Sequence, residues 1–145
     1  MIDTVRQLSV FAVNQPGKLT RITRLLAQHG INIRAVTIAS GDRYGVIRLL
    51  VADPDKAFRV LQAADLSVAL VPVLAISMPD APGGLQGIVD RLSHHCINVE
   101  DAYGFVVEAG VRAVLIAEVE DMPRAAQLLI RDGLTLLSPD ELARL

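Results

Sequence analysis

Side chains able to do chemistry are few here. Cys96 is the only cysteine and follows His94 and His95. A thiol nucleophile would need a base and an orienting group, and beyond the two histidines that constellation is missing. Three consecutive residues at a helix end point in different directions, so they make no tetrahedral metal set. Capping and surface histidines are the simpler reading, since His29 and His95 both fall near an expected helix C-terminus, where positive charge is favourable. The "PGKLT" at Pro16–Thr20 lacks the upstream glycine of a nucleotide-binding loop. No catalytic residue, metal or cofactor is therefore expected. What remains is backbone chemistry at two Pro-Gly steps, Pro16-Gly17 and Pro82-Gly83. Proline fixes φ near the helical value and lacks an N–H that a helix start does not use. Glycine, with no Cβ, lets a ligand approach the main chain. The amides of Lys18 and Leu19 would then point outward at the positive end of a helix, a place for a carboxylate. Asn14 adds a donor and an acceptor, and Asn32, at the start of the next strand, is expected near the same end of the sheet. A zwitterion such as an amino acid fits these groups. The same turn also serves as plain punctuation, and both readings stand.

The elements around these steps occur twice. Pro82 and Gly83 lie 66 residues beyond Pro16 and Gly17 (82 − 16), and Leu19, Ile22, Leu26, His29, Ile31 and Asn32 recur at the same offset as Leu85, Ile88, Leu92, His95, Ile97 and Asn98. An ungapped register of about twenty residues indicates duplication. In the first copy "QLSVFAV" reads as a strand, followed by the Pro-Gly turn and a helix from about Lys18 with Leu19, Ile22, Leu25 and Leu26 on one face. Gly30 is placed to end that helix in a left-handed cap. "INIRAVTIA" and "YGVIRLLVA" follow as strands around a "SGDR" turn, then a helix capped by Asp53 and opened by Pro54, then "SVALV". The order is β-α-β-β-α-β, a ferredoxin-like motif. The second copy repeats it, ending in a strand at "TLLS". The predicted fold is α+β, with two four-stranded antiparallel sheets that each carry helices on one face, and domains at 1–70 and 71–145. Pro72 is expected to interrupt the strands where the halves meet. "VIRLLVA" and "AVLIAEV" are apolar at nearly every position, so both sheet faces want burial, and the other half or a second chain is the cheapest cover.

Composition narrows the partners. With 145 residues, 52% of them hydrophobic and 21% charged, the chain is long enough for two minimal domains and too apolar for disorder. A net charge of −2, 3% aromatic residues and no clustered Lys/Arg speak against a nucleic-acid surface. "VALVPVLAI" is about half the roughly 20 residues of a membrane span, and no secretory signal opens the sequence. A cytoplasmic location is expected.

The run "LSVFAVNQPGKLTRITRLLAQHGINIRAVTIA" resembles the opening of an ACT domain: strand, Asn/Asp-x-Pro-Gly-x-Leu, amphipathic helix, Gly-Ile-Asn-Ile. "SMPDAPGGLQGIVDRLSHHCINVEDAYGF" matches the same pattern less fully, so the resemblance covers the chain as a tandem pair. It implies ferredoxin-like regulatory modules that often bind amino acids between paired domains. Family ligands contact the loop after the first strand and the start of the second strand of a partner domain. Carried over, this implicates Asn14, Pro16, Gly17, Leu19, Asn32 and Ile33, beside the Lys18 already singled out at the helix start, and in the second repeat Asp80, Pro82, Gly83, Leu85, Asn98 and Val99. Three departures stand out. Cys96 replaces the equivalent of Gly30, Gly84 replaces Lys18, and Asp80 brings a charge that would hold an ammonium but repel a carboxylate. The first site is thus expected to be the better binder. Ferredoxin-like folds also serve as acylphosphatases, but Arg21 lies inside a helix rather than in the loop that chemistry uses. The expected function is non-catalytic amino-acid sensing by a homodimer acting in trans on an enzyme of amino-acid metabolism. The alternative is a ligand-free structural or regulatory subunit of such an enzyme. A small aliphatic side chain on the ligand is expected from Leu19 and Ile33.

Overall fold

The computed structural model describes residues 4–145. The elements run β1 (Val5–Val13), α1 (Lys18–Gln28), β2 (Ile33–Ser40), β3 (Tyr44–Val51), α2 (Pro54–Ala63), β4 (Ser67–Pro79), α3 (Gly84–His94), β5 (Val99–Glu108), β6 (Arg112–Val119), α4 (Met122–Arg131) and α5 (Pro139–Ala143). Two compact units result, Arg6–Val71 and Pro72–Leu145, the latter joined by the residues up to Val5.

In the first unit the strand order is β2-β3-β1-β4. β3 is antiparallel to both β1 and β2, with Leu8 and Val36 each opposite Leu49 and Val10 and Ile38 each opposite Ile47. Ile22 and Leu26, four residues apart on α1, meet Ala57 and Leu61 of α2 over Leu8, Val10, Ile47 and Leu49. Full burial of each leucine, isoleucine or valine among them contributes about 1.5–3 kcal/mol. Helix α2 starts where the sequence says it should: Asp53 accepts from the Lys56 amide at 3.1 Å and Pro54 follows. On the face away from the helices Phe11 is 56% exposed and Tyr44 65%.

The second unit repeats the plan, with order β4-β6-β5. Leu74 is opposite Ala117 and Ile76 opposite Leu115, under Ile88 and Leu92 of α3 and Ala125, Ala126 and Leu129 of α4. The predicted burial of both faces appears in β6, where Ala113 to Ala117 are all buried.

Three expectations change. Pro72 does not interrupt the chain's strands, for β4 runs unbroken from Ser67 to Pro79. Pro72 is exposed, and the register with β6 begins only at Leu74, so its missing N–H costs no bond in that ladder. The closing strand at "TLLS" shrinks to one bridge, Ile76 to Leu136. Beyond it the chain turns into α5, which the sequence reading missed; Ser138 and Glu141 form a capping box there, and Leu142 is buried. Finally, the offset between copies is 66 only as far as β5. That strand has 10 residues where β2 has 8, so later equivalents lie 68 apart, as Asp53 and Asp121 show (121 − 53) with their matching bonds to the Lys56 and Arg124 amides.

Candidate functional site

Both Pro-Gly steps are type II turns. Gly17 has φ 89° and ψ −6°, and Gly83 φ 88° and ψ −8°. These are the values such a turn requires at its third position, where an L side chain is strained. The turns close through the Lys18 amide to the Gln15 carbonyl (3.4 Å) and the Gly84 amide to Ala81 (3.0 Å). The Lys18 amide is therefore engaged rather than outward, which corrects the reading from sequence. The first i→i−4 bond runs from Arg21 to Gly17, which leaves Leu19 and Thr20 as the amides at the positive end of α1. A Cβ built on Gly17 or Gly83 would meet nothing within 4 Å, so both turns face open space.

Asn14 is committed to its own unit. Its amide donates to Arg43 O (2.7 Å), its Nδ2 to Gly41 O (3.1 Å), and its Oδ1 accepts from Lys18 Nζ (2.7 Å). Lys18 also reaches Ser40 Oγ at 3.1 Å. The loop is thereby laced to the β2–β3 hairpin, with the Lys18 ammonium above it. In the second unit the Asp80 amide still donates to the hairpin, at Val111 O (3.2 Å). Its carboxylate can only accept, and takes the Gly110 amide at 2.7 Å. Leu19 packs against the first core, whereas Leu85 is exposed.

Asn32 and Ile33 are not near the loop of their own unit. The helix after β1 returns the chain to that strand's starting end, so β2 begins there and finishes at Ser40 beside Lys18. An eight-residue strand, about 26 Å long, separates the two groups. The expectation that Asn32 shares an end with Asn14 is overturned by that parallel return. Asn32 instead takes the Ala52 amide on its carbonyl (3.0 Å), and Asn98 exchanges bonds with Glu120 (both 3.3 Å). Ile33 and Val99 pack on their respective cores.

Near the helix ends, Cys96 adopts the left-handed conformation (φ 55°) that Gly30 takes in the first unit (φ 68°). His95 Nε2 lies 2.8 Å from Asp132 Oδ2. That hydrogen bond, more than the nearby arginines, holds the Asp132 carboxyl below its ordinary range. Among the described residues, no three His, Cys, Asp or Glu side chains gather as a metal set. None of their helices is long and apolar enough to cross a membrane.

A cavity of about 370 Å³ opens in the second unit beside its Pro-Gly turn, between Pro82 and Gly83 on one side and Met78, Ile88 and Leu134 on another. Gly84, Gly87 and Arg91 of α3 also line it, with Arg91 Nη1 donating to Gly87 O at 2.7 Å. Arg91, Gly87, Met78 and Leu134 were not singled out from sequence. A glycine in the middle of a helix, where the first copy has Arg21, was the readable signal.

A ferredoxin-like βαββαβ unit written twice, each copy entering its first helix through a Pro-Gly type II turn, defines a class of paired regulatory modules. The model of the ACT domain pair matches residues 3–145, and the chain belongs to that family. It is similar to the crystal structure of protein BT0572 from Bacteroides thetaiotaomicron, with 32% identity, a TM-score of 0.91, and coverage of 98% of this chain and 97% of that one. It also resembles the ligand-free regulatory subunit of aspartate kinase from Thermus thermophilus (18%, TM-score 0.64, 90% and 93%). The corresponding subunit from Thermus flavus is similar too (16%, TM-score 0.62, 90% of each). At those identities the likeness is one of fold. No curated protein sequence matches the chain.

Proposed function

We propose that this protein is a non-catalytic regulatory module that binds a small amino acid at its Pro-Gly helix starts, foremost the one at Gly17, and passes occupancy to an enzyme of amino-acid metabolism in the cytoplasm. The observation that carries this is the open helix start at Gly17, kept in a chain that is an ACT domain pair along its length. The carboxylate would take the amides of Leu19 and Thr20, next to the Lys18 ammonium. Because Asn32 and Ile33 lie at the other end of β2, they would reach a ligand only from another ACT unit. We place that contact in a homodimer, with domains 1–70 and 71–145 as the pairing modules. The exposed Phe11, Val13 and Tyr44 are consistent with a surface awaiting a second chain. The engagement of Asn14 by Lys18 and Gly41 supports a second reading, a ligand-free subunit whose loop is only a rigid corner.

Thermal unfolding against each of the twenty amino acids at millimolar concentration separates the two. A ligand at 100 times its Kd adds about 2.7 kcal/mol, several degrees for a chain of this size. One selective shift supports the sensor, and no shift with any amino acid favours the ligand-free subunit.

A further inference from the structure

The cavity beside Gly87 lies in the second unit. At the equivalent place in the first unit Arg21 crosses from α1 and donates Nη2 to Ala64 O at 2.6 Å, so a side chain spans the gap. In the second unit that position is Gly87, and the cation has moved one turn on, to Arg91, where the first unit has Leu25. Glycine inside a helix is unfavourable relative to alanine, so its presence calls for a reason. Gly84 has one in packing, for a Cβ there would run into the Pro79 carbonyl oxygen. Gly87 has none, since its Cβ would make only an ordinary 3.6 Å contact with Arg91 Nη1. What Gly87 does is keep the space open.

The contents of that space define an occupant. Its walls are aliphatic, from Met78, Ile88, Leu134 and Pro82, and its volume is at the small end for metabolite sites. Arg91 supplies the charge, half-buried, with its Nη1 donating to Gly87 O. Asp132, close enough to feel Arg91, is turned to His95 and is not part of the wall. No acidic side chain lines the cavity, so an ammonium would find no counter-charge there.

We propose that this cavity binds a small branched aliphatic carboxylate without an α-ammonium, its carboxylate on Arg91 and its hydrocarbon against Met78, Ile88 and Leu134. This site is separate from the amino-acid site proposed at Gly17 and does not depend on it.

The test is titration of the full chain with isovalerate, followed by amide NMR shifts and calorimetry. Saturable binding with shifts centred on Met78, Gly87 and Leu134 is expected. Arg91→Met, which keeps the aliphatic stem, should weaken it at least tenfold, and Gly87→Leu should abolish it by filling the space. The neutral isostere isovaleramide and the amino acid leucine should each bind at least tenfold more weakly here. Gly17→Leu should leave isovalerate binding intact, whatever it does to amino acids. Equal affinity in Arg91→Met, or shifts confined to other residues, would overturn the proposal. So would absence of binding to the folded wild-type chain.

Discussion

The two Pro-Gly loops share one backbone and part company within four residues. Their glycines differ by 1° in φ, and both first residues, Asn14 and Asp80, hand their amides to the following hairpin. Then the side chains diverge. The first loop lets an amide side chain donate to Gly41 and holds an ammonium above itself; the second reverses the bond, so that a carboxylate accepts from Gly110, and it carries no cation at Gly84. Position 84 also lies so close under Pro79 that no side chain fits, while its equivalent, Lys18, reaches out to two partners. Duplication has preserved the turn, and the charge and access around it have been exchanged. The turn alone therefore says little about function; what surrounds it says more.

The largest expected effect tests that contrast in access. Gly84→Ala forces the Pro79 carbonyl or the helix to move and should cost about 3 kcal/mol. Lys18→Ala removes two exposed hydrogen bonds but leaves a good helix former, and should cost less than about 1 kcal/mol. Urea midpoints measure both, and equal losses would mean the loops are equally open. Next come the turn glycines. Gly17→Leu and Gly83→Leu each put a side chain at φ near 90° with free space around it, so both should lose about 1–2 kcal/mol. That equality makes the ligand comparison clean. An amino-acid-induced rise in Tm should vanish in Gly17→Leu and persist in Gly83→Leu; matched losses of binding would sink the idea that the first loop is the better site.

A smaller difference sits at the helix ends, where each unit uses glycine at one left-handed position and an ordinary residue at the other. The first has Gly30 and Asp65, the second Cys96 and Gly133. Cys96→Gly should stabilise the protein by on the order of 1 kcal/mol, and Gly30→Cys should cost a similar amount. Unchanged urea midpoints in both would show that the caps tolerate either residue equally.

Much of this was legible because the hydrophobic spacing of the helices and the alternation of strands are local signals. Ile22 with Leu26, and Ile88 with Leu92, marked helix faces without any knowledge of the sheet. Asp53-Pro54 marked a helix start for the same reason. What escaped depended on position in space. The far placement of Asn32 follows from strand direction, not residue type. The continuation of β4 through Pro72 depends on whether that proline's missing N–H would have had a partner. The two-residue lengthening of β5 hid the kinship of Asp53 with Asp121, and of the Lys56 and Arg124 side chains that bond the carbonyls of His29 and His95. The capping box of α5 is written in "SPDE", but the aliphatic "TLLS" that overlaps its first residue carries the stronger local signal, that of a strand.

The smallest contrast is electrostatic, and neither unit shares it with the other. In the first, Arg6 grips both oxygens of Asp55 at 2.9 Å; the equivalents of that pair are Pro72 and Pro123. In the second, His95 holds Asp132, whose equivalent is Ala64, while His29 turns its Nδ1 to the Leu25 carbonyl instead. Both carboxyls are held below their ordinary range, chiefly by the hydrogen bond from the basic partner. A carboxyl whose folded pKa is depressed contributes stability that is present above its unfolded pKa and is lost as pH falls through the folded value. Asp55→Asn and Asp132→Asn should therefore lower the urea midpoint at pH 6, with the gap to the unmodified protein closing below about pH 4. Because the pairs belong to different units and share no partner, the double variant should lose the sum of the two effects. Added salt should shrink both, since neither pair is deeply buried. A double variant no worse than either single one would mean that the two units do not hold their charges independently, and that the acid response belongs to the chain as a whole.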